Sequence, residues 1–172
     1  MNVRTTSLLA GLLAVALLPG AAHAKTDVTT TFQVKVKITE SCNVTTVTAT
    51  DVDFGEVART TDPVAIDADG ALNVNCSKGT PYQIGMNAGA NSTSATASAN
   101  NRRMASGSRH VSYGLYVDAA RSEFWDTAGS TNTVSGVGNG VNQPIPVYGR
   151  IQDAPNVPAG VYTDTVTATV TY

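Results

Sequence analysis

Two runs of alternating apolar and polar residues, one near each end of the chain, constrain the fold most strongly. The apolar positions of the first run are Phe32, Val34, Val36 and Ile38, and Lys35 and Lys37 lie between them. The apolar positions of the last run are Tyr162, Val166, Ala168, Val170 and Tyr172, separated mostly by threonine. Successive side chains of a strand point to opposite faces, so each run predicts a β-strand with one apolar and one solvated face.

The placement of these strands suggests how the chain could associate. The second run reaches the last residue, so we expect its strand to present an unpaired edge. The first run could leave the body of the domain. An open edge accepts a strand from another molecule. We therefore predict polymerisation through a donor strand lent to a neighbour. The alternative is an N-terminal strand that folds back and completes its own domain.

Residues 1–24 have the pattern of a secretory signal peptide. Arg4 precedes an apolar run over residues 8–18, and Ala22-His23-Ala24 has the small-x-small form of a cleavage site. A membrane anchor would need about 20 apolar residues, which exceeds this run. We expect cleavage after Ala24, a donor-strand extension over residues 25–38, and one domain over residues 39–172. No later segment is apolar enough to cross a membrane.

Composition indicates an all-β protein and argues against nucleic acid as a partner. Without Arg4 the exported chain has 10 basic residues (11 minus 1) and 13 acidic ones, a net charge of −3. Its basic residues are scattered, so no electrostatic footprint for nucleic acid is present. Abundant Thr, Val, Asn and Gly favour strands joined by turns.

The spacing of apolar positions predicts the strands and loops of a β-sandwich. We expect residues 71–76 and 81–87 to form a hairpin around a turn at 77–80. Single strands are expected over residues 110–118 and 161–172. The Ser/Thr/Asn-rich stretches at 87–108 and 128–142 are predicted to be surface loops or weakly paired hairpin arms.

Both cysteines, Cys42 and Cys76, lie in the exported part of the chain. An even number of cysteines in an exported chain favours a disulfide. Two buried free thiols are the alternative.

Catalytic and metal-binding groups are sparse, so we predict that the protein is not an enzyme and has no cofactor. The exported chain has one histidine, His110, and no nucleophile elbow accompanies it. Asp67 and Asp69 resemble a calcium loop only faintly, because the remaining carboxylate ligands are missing. We interpret these two aspartates as part of a turn.

Several motifs, in order and spacing, resemble the spore coat protein U domain family, which includes the subunits of archaic (Csu-like) chaperone–usher pili. The motifs are Phe32-x-Val34, Asp53-Phe54-Gly55, Leu72-x-Val74-x-Cys76, Tyr113-x-Leu115-Tyr116-x-Asp118, Val147-Tyr148-Gly149-Arg150-Ile151 and Tyr162-x-Asp164-x-Val166.

The resemblance implies an incomplete immunoglobulin-like β-sandwich completed by donor-strand complementation. It implies a Cys42–Cys76 disulfide and a donor strand formed by Phe32, Val34, Val36 and Ile38. The edge that receives a chaperone or donor strand would comprise Tyr162, Val166, Val170 and Tyr172. The implied partners are a periplasmic chaperone, an outer-membrane usher and other pilin subunits. The implied location is an extracellular pilus, reached through the periplasm, that serves adhesion and biofilm formation.

Overall fold

The computed structural model describes residues 28–46, 51–97 and 101–172. The predicted signal peptide lies outside this part of the chain. The chain divides into two units, Met1–Lys37 and Ile38–Tyr172. The strands of the second unit are β1 (Cys42–Thr46), β2 (Ile66–Cys76), β3 (Pro81–Met86), β4 (Arg103–Ser106), β5 (Arg109–Ser112), β6 (Gly114–Tyr116), β7 (Val134–Val137), β8 (Gln143–Ile151) and β9 (Ala168–Thr171).

The strands form two main sheets and one hairpin. The first sheet has the order β1-β2-β8-β6, the second has the order β7-β3-β9, and β4 pairs with β5. All of these pairings are antiparallel. Helices are absent from the described residues.

A single apolar core lies between the two sheets. Its buried members are Leu72, Val74, Cys76, Tyr82, Ile84, Met86, Val111, Tyr113, Leu115, Trp125, Val147 and Ile151. The Trp125 side chain is fully buried and its indole N–H donates to the Ile84 carbonyl at 2.8 Å. Alternate residues of β2, β3 and β8 reach this core, as the period-two pattern of a strand requires.

The predicted Cys42–Cys76 disulfide is present. The two residues are directly paired across β1 and β2, with their Cα atoms 4.0 Å apart. Cys76 is fully buried. The bond therefore ties the N-terminal end of edge strand β1 to the core strand β2.

We expect Cys42→Ser to lower the free energy of unfolding by about 3–4 kcal/mol, because the bond closes a loop with a sequence separation of 34. Urea unfolding under oxidising conditions measures this loss, and Cys42→Ser/Cys76→Ser should reproduce it. Equal unfolding midpoints for Cys42→Ser and the unmodified protein would contradict a stabilising role.

The predicted hairpin between residues 71–76 and 81–87 is wrong. β2 pairs with β1 and β8, whereas β3 pairs with β7 and β9 in the other sheet. The connection at 77–80 crosses between sheets, and the Gly79 N–H donates to the Gly138 carbonyl at 2.8 Å. Both apolar rows enter one core from opposite sheets. A short spacing along the chain does not distinguish this crossing from a hairpin.

The predicted strand over residues 110–118 is divided at Tyr113. β5 belongs to the hairpin with β4, whereas β6 joins the first sheet beside β8. The Tyr113 N–H donates to the Arg102 carbonyl at 3.0 Å, which extends the β4–β5 register by one residue before the chain enters β6. The local apolar pattern continues across the break because both strands contribute to the same core.

The two Ser/Thr/Asn-rich stretches, predicted to be surface loops or weakly paired hairpin arms, each contain one short strand. β4 lies in the stretch 87–108, and β7 lies in the stretch 128–142. Arg102, in the first stretch, is fully buried. The predicted surface loop is therefore wrong at this residue, whereas the alternative, a hairpin arm, is confirmed for β4, which pairs with β5. Backbone carbonyls of residues distant in sequence accept hydrogen bonds from the Nε and Nη2 atoms of Arg102.

Asp67 and Asp69 lie in the N-terminal part of β2 rather than in a turn. Asp67 accepts hydrogen bonds from Arg150 at 2.6 and 2.8 Å, and Asp69 pairs with Arg121 at 2.5 Å. The hydrogen bond from Arg150, followed by the nearby charges, lowers the pKa of Asp67. Asp67 therefore forms an ion pair with Arg150 on the neighbouring strand β8, and Asp69 forms one with Arg121, which lies in the connection after β6.

Candidate functional site

A wide groove of about 1050 Å³ opens over one side of the core in the second unit. Both sheets contribute to its floor, with Leu72 from β2, Met86 from β3, Leu115 from β6, and Val147 and Ile151 from β8. All five floor residues are buried. The site is therefore an apolar opening between the sheets.

The first wall of the groove is the segment 51–59. Val52 and Phe54 are half-buried against the core, and Asp51 and Asp53, which alternate with them, are exposed. The Phe54 ring meets the Tyr113 ring edge-on, with centroids 6.4 Å apart. Gly55 has a φ of +66° and its N–H donates to Asp53 Oδ1 at 2.8 Å. The chain therefore turns directly after Phe54, which packs against the core.

The second wall includes residues 157–166. Tyr162 and Val166 line the groove, and Ala168 follows them at the start of β9. Burial alternates along residues 161–170, as the sequence predicts, although the strand itself covers only Ala168–Thr171. The backbone hydrogen-bond partners change along this segment. The Thr167 carbonyl accepts from the Asn87 N–H, and the Thr165 carbonyl accepts from the Ala90 N–H, each at 3.0 Å. The segment is extended, but no single neighbouring strand pairs with all of it.

The predicted acceptor-edge residues occupy different positions. Tyr162 and Val166 lie in the groove wall, and Val170 is half-buried in β9, opposite Ile84 of β3. Tyr172 follows β9 and is 59% exposed. Among the described strands, β9 pairs only with β3, so its other edge is unpaired.

Asp164 fastens the second wall to the rest of the domain, a role that the sequence did not reveal. Its carboxylate accepts from the Tyr113 hydroxyl at 2.7 Å and from the backbone and side chain of Asn91 at 3.1 Å. Burial first, and then the hydrogen bond to Asp164, raise the pKa of Tyr113. Tyr113 therefore remains a neutral donor and holds the carboxylate in place.

Arg102 joins β3 to the residues behind the groove. Its guanidinium donates to the carbonyls of Met86 at 3.0 Å, Asn87 at 3.0 Å and Trp125 at 2.7 Å. Burial lowers the pKa of Arg102, and the nearby carboxylates of Asp126 and Asp164 act in the opposite direction. The side chain remains a cation at neutral pH, because arginine does not deprotonate in proteins.

The predicted donor residues are all highly exposed. The exposed fractions are 85% for Phe32, 88% for Val34, 83% for Val36 and 87% for Ile38. Residues 28–41 belong to no strand. The predicted strand is therefore unformed here, since a lone extended segment has no partner for its backbone groups.

The described residues were also compared with the requirements of a metal site and of a membrane-spanning helix. No group of three or more His, Cys, Asp or Glu residues there could hold a metal ion. No helix in this part of the chain has the length and apolarity needed to cross a bilayer. His110 is half-buried in β5.

Comparison with known proteins agrees with this architecture. A solved structure of the CsuC-CsuE chaperone–tip adhesion subunit pre-assembly complex, from the archaic chaperone–usher Csu pili of Acinetobacter baumannii, matches with a TM-score of 0.53 and 20% identity. The match covers 78% of this chain and 40% of that chain, so this chain spans well under half of that neighbour. The predicted all-β, immunoglobulin-like sandwich is confirmed by this likeness and by the strand arrangement.

Sequence comparison identifies the family. Protein U of Myxococcus xanthus is 33% identical over 124 residues, which cover 66% of this chain and 69% of that protein. The family model described as Spore Coat Protein U domain matches residues 28–169. The groove, the two-sheet core and these matches together confirm the resemblance drawn from the motifs, and the chain belongs to the Spore Coat Protein U domain family.

Proposed function

We propose that this chain is a structural subunit of an extracellular pilus, assembled by the chaperone–usher route through donor-strand exchange. The observation that carries the proposal is the open apolar groove in a chain that also has an exposed apolar segment of strand periodicity. Such a segment can complete a sheet, because an extended peptide adds to an open edge through main-chain hydrogen bonds. The partner is another copy of the chain or a related subunit.

The energetics favour a long-lived link between subunits. Burial of Phe32, Val34, Val36 and Ile38 would contribute about 1.5–3 kcal/mol each, or about 6–12 kcal/mol together before entropic losses. Main-chain hydrogen bonds along the inserted strand add to this. A link of that strength dissociates slowly, as a fibre under load requires.

Before assembly, the same groove needs a temporary cover. The matched neighbour is a chaperone–subunit complex, which supports a periplasmic chaperone as a partner of this chain. We propose that the chaperone binds along Tyr162, Val166, Val170 and Tyr172, and that a donor strand replaces it at an outer-membrane usher. The chain would pass through the periplasm to a pilus on the cell surface, with a non-catalytic role in adhesion and biofilm formation.

A self-complemented coat protein that does not polymerise is the second candidate. The family description and the relative named Protein U favour it. In that case residues 25–38 would occupy the groove of their own domain. Such a chain would be a stable monomer without a free donor segment.

Electrophoresis of the purified protein without its signal peptide tests the proposal. We expect a ladder of multimers that resists SDS at room temperature and collapses to monomer on boiling, since donor-strand links open slowly. A subunit lacking residues 25–38 is the control and should give no ladder. A heat-resistant monomer without multimers would contradict the pilus proposal and favour the coat protein.

A further inference from the structure

The donor segment and one groove wall have opposite charges at matching spacing. Residues 28–39 include Lys35 and Lys37 and no acidic residue. The first wall has Asp51, Asp53 and Glu56, all exposed. Ion pairs formed within the described residues involve Asp67 and Asp69, and none involves these three acids. Their charges are therefore available to an incoming segment.

The apolar pattern determines where these charges would lie. If Phe32, Val34, Val36 and Ile38 enter the groove, Lys35 and Lys37 face outward on the strand. In the first wall, Val52 and Phe54 face the core, which leaves Asp51 and Asp53 facing outward. Each pair is two residues apart, or about 6.6–6.8 Å in an extended chain. Two lysines and two aspartates can therefore meet side by side.

The second wall has no comparable charge. Asp164 is already bonded to Tyr113 and Asn91. The exposed positions of this wall are all uncharged, namely Pro158, Ala159, Gly160, Val161, Thr163 and Thr165. Among the described residues that line the groove, Arg59 is the one basic residue; it lies at the other end of the first wall from Asp51 and donates to Asn156 at 2.7 Å. The negative charge of the groove is therefore concentrated at Asp51, Asp53 and Glu56, on one side.

We propose that Lys35 and Lys37 of a second copy pair with Asp51 and Asp53, and that these pairs select a basic donor strand and set its register. The inference rests on the proposed function, because it requires a donor strand in the groove. Complementary charge accelerates encounter and disfavours wrong partners more than it adds affinity. A donor strand with acidic residues at positions 35 and 37 would be repelled.

Uptake of a labelled peptide spanning residues 27–38 tests the charge pairing. The recipient is the full exported chain with Val36→Arg, which keeps its own segment from competing. At low salt we expect Lys35→Glu/Lys37→Glu in the peptide to slow uptake by about tenfold or more. Asp51→Asn/Asp53→Asn in the recipient should slow uptake of the unmodified peptide by about threefold to tenfold. At about 0.5 M salt both effects should shrink, because screening shortens the reach of exposed charges.

Matched controls separate specific pairing from net charge. Asp62→Asn/Glu123→Gln removes two exposed negative charges outside the groove and should leave the uptake rate unchanged. Asp51→Lys/Asp53→Lys should restore rapid uptake of the Lys35→Glu/Lys37→Glu peptide. Trp125 fluorescence shows whether the Asp51→Lys/Asp53→Lys recipient folds. If it does not fold, the Asp51→Asn/Asp53→Asn recipient provides the test of pairing, since asparagine keeps a side-chain acceptor for the Gly55 N–H.

The outcomes distinguish this inference from the proposed function. No uptake of the unmodified peptide at any salt concentration would overturn donor-strand exchange itself. Uptake that is independent of salt and of both charge changes would overturn the pairing alone. If the Asp62→Asn/Glu123→Gln recipient takes up the peptide as slowly as the Asp51→Asn/Asp53→Asn recipient, net charge alone explains the effect, and this result would also overturn the pairing.

Discussion

Val36→Arg is expected to abolish fibre formation while the subunit still folds and is exported. Val36 is 83% exposed in the subunit, so arginine at this position disturbs no core contact. In an occupied groove the guanidinium would be buried without a partner, which costs several kcal/mol. A one-residue slip offers no escape, because it would place Gln33, Lys35 and Lys37 in the groove.

Sedimentation of fibres from mixed subunits measures this effect. The variant alone should give no fibre mass, and added variant should shorten the fibres of the unmodified protein, because its groove still accepts a donor strand. Gln33→Arg is the matched control, since it places the same side chain on the solvated face and should assemble normally. Full-length fibres from Val36→Arg alone would refute the donor-strand assignment.

Loss of chaperone binding by Val36→Arg would contradict the assignment of residues 25–38 as a free donor segment. That result would indicate that residues 25–38 belong to the core of their own domain. The self-complemented coat protein would then be the better description. Retained chaperone binding together with lost assembly is the expected combination.

Arg102→Met is expected to lower the free energy of unfolding by about 3–5 kcal/mol. The substitution preserves much of the apolar stem but leaves three carbonyls without their donor, those of Met86, Asn87 and Trp125. Each unsatisfied buried acceptor costs about 1–3 kcal/mol. Because Asn87 also pairs with Thr167, the loss should loosen the second groove wall as well.

Urea unfolding monitored by Trp125 fluorescence measures this loss, since Trp125 is the only tryptophan in the sequence. Arg103→Met is the matched control. Arg103 is half-buried and donates to the Asn91 carbonyl at 3.0 Å, so we expect a loss below about 1 kcal/mol. Equal losses for the two variants would show that Arg102 has no special structural role.

Local patterning was a sound guide wherever a strand has one buried and one solvated face. Burial alternates along residues 161–170 as the sequence predicts, and Val147 and Ile151 of β8 enter the core. The disulfide was also predictable, because a chain with two cysteines has only one internal pairing available. These features depend on residue type and period alone.

Patterning failed where two strands share a core but not a sheet. β2 and β3 are separated by a short turn, and β5 and β6 by Tyr113 alone, yet each pair is divided between different sheets. An apolar row is the same whether its neighbour lies beside it or across the core. Strand partners are non-local, and no local spacing specifies them.

The groove likewise combines features that the sequence predicts with features that only the tertiary structure determines. The sequence by itself determined the apolar faces of the two end segments, the all-β class and the disulfide, because period and residue type decide which side chains avoid water. Only the tertiary structure decided that segment 51–59 and residues 157–166 line one groove over the core, and that Arg102 and Asp164 hold the surrounding chain. Burial of a charge and the opening of a groove depend on contacts between residues far apart in sequence, which local periodicity does not encode.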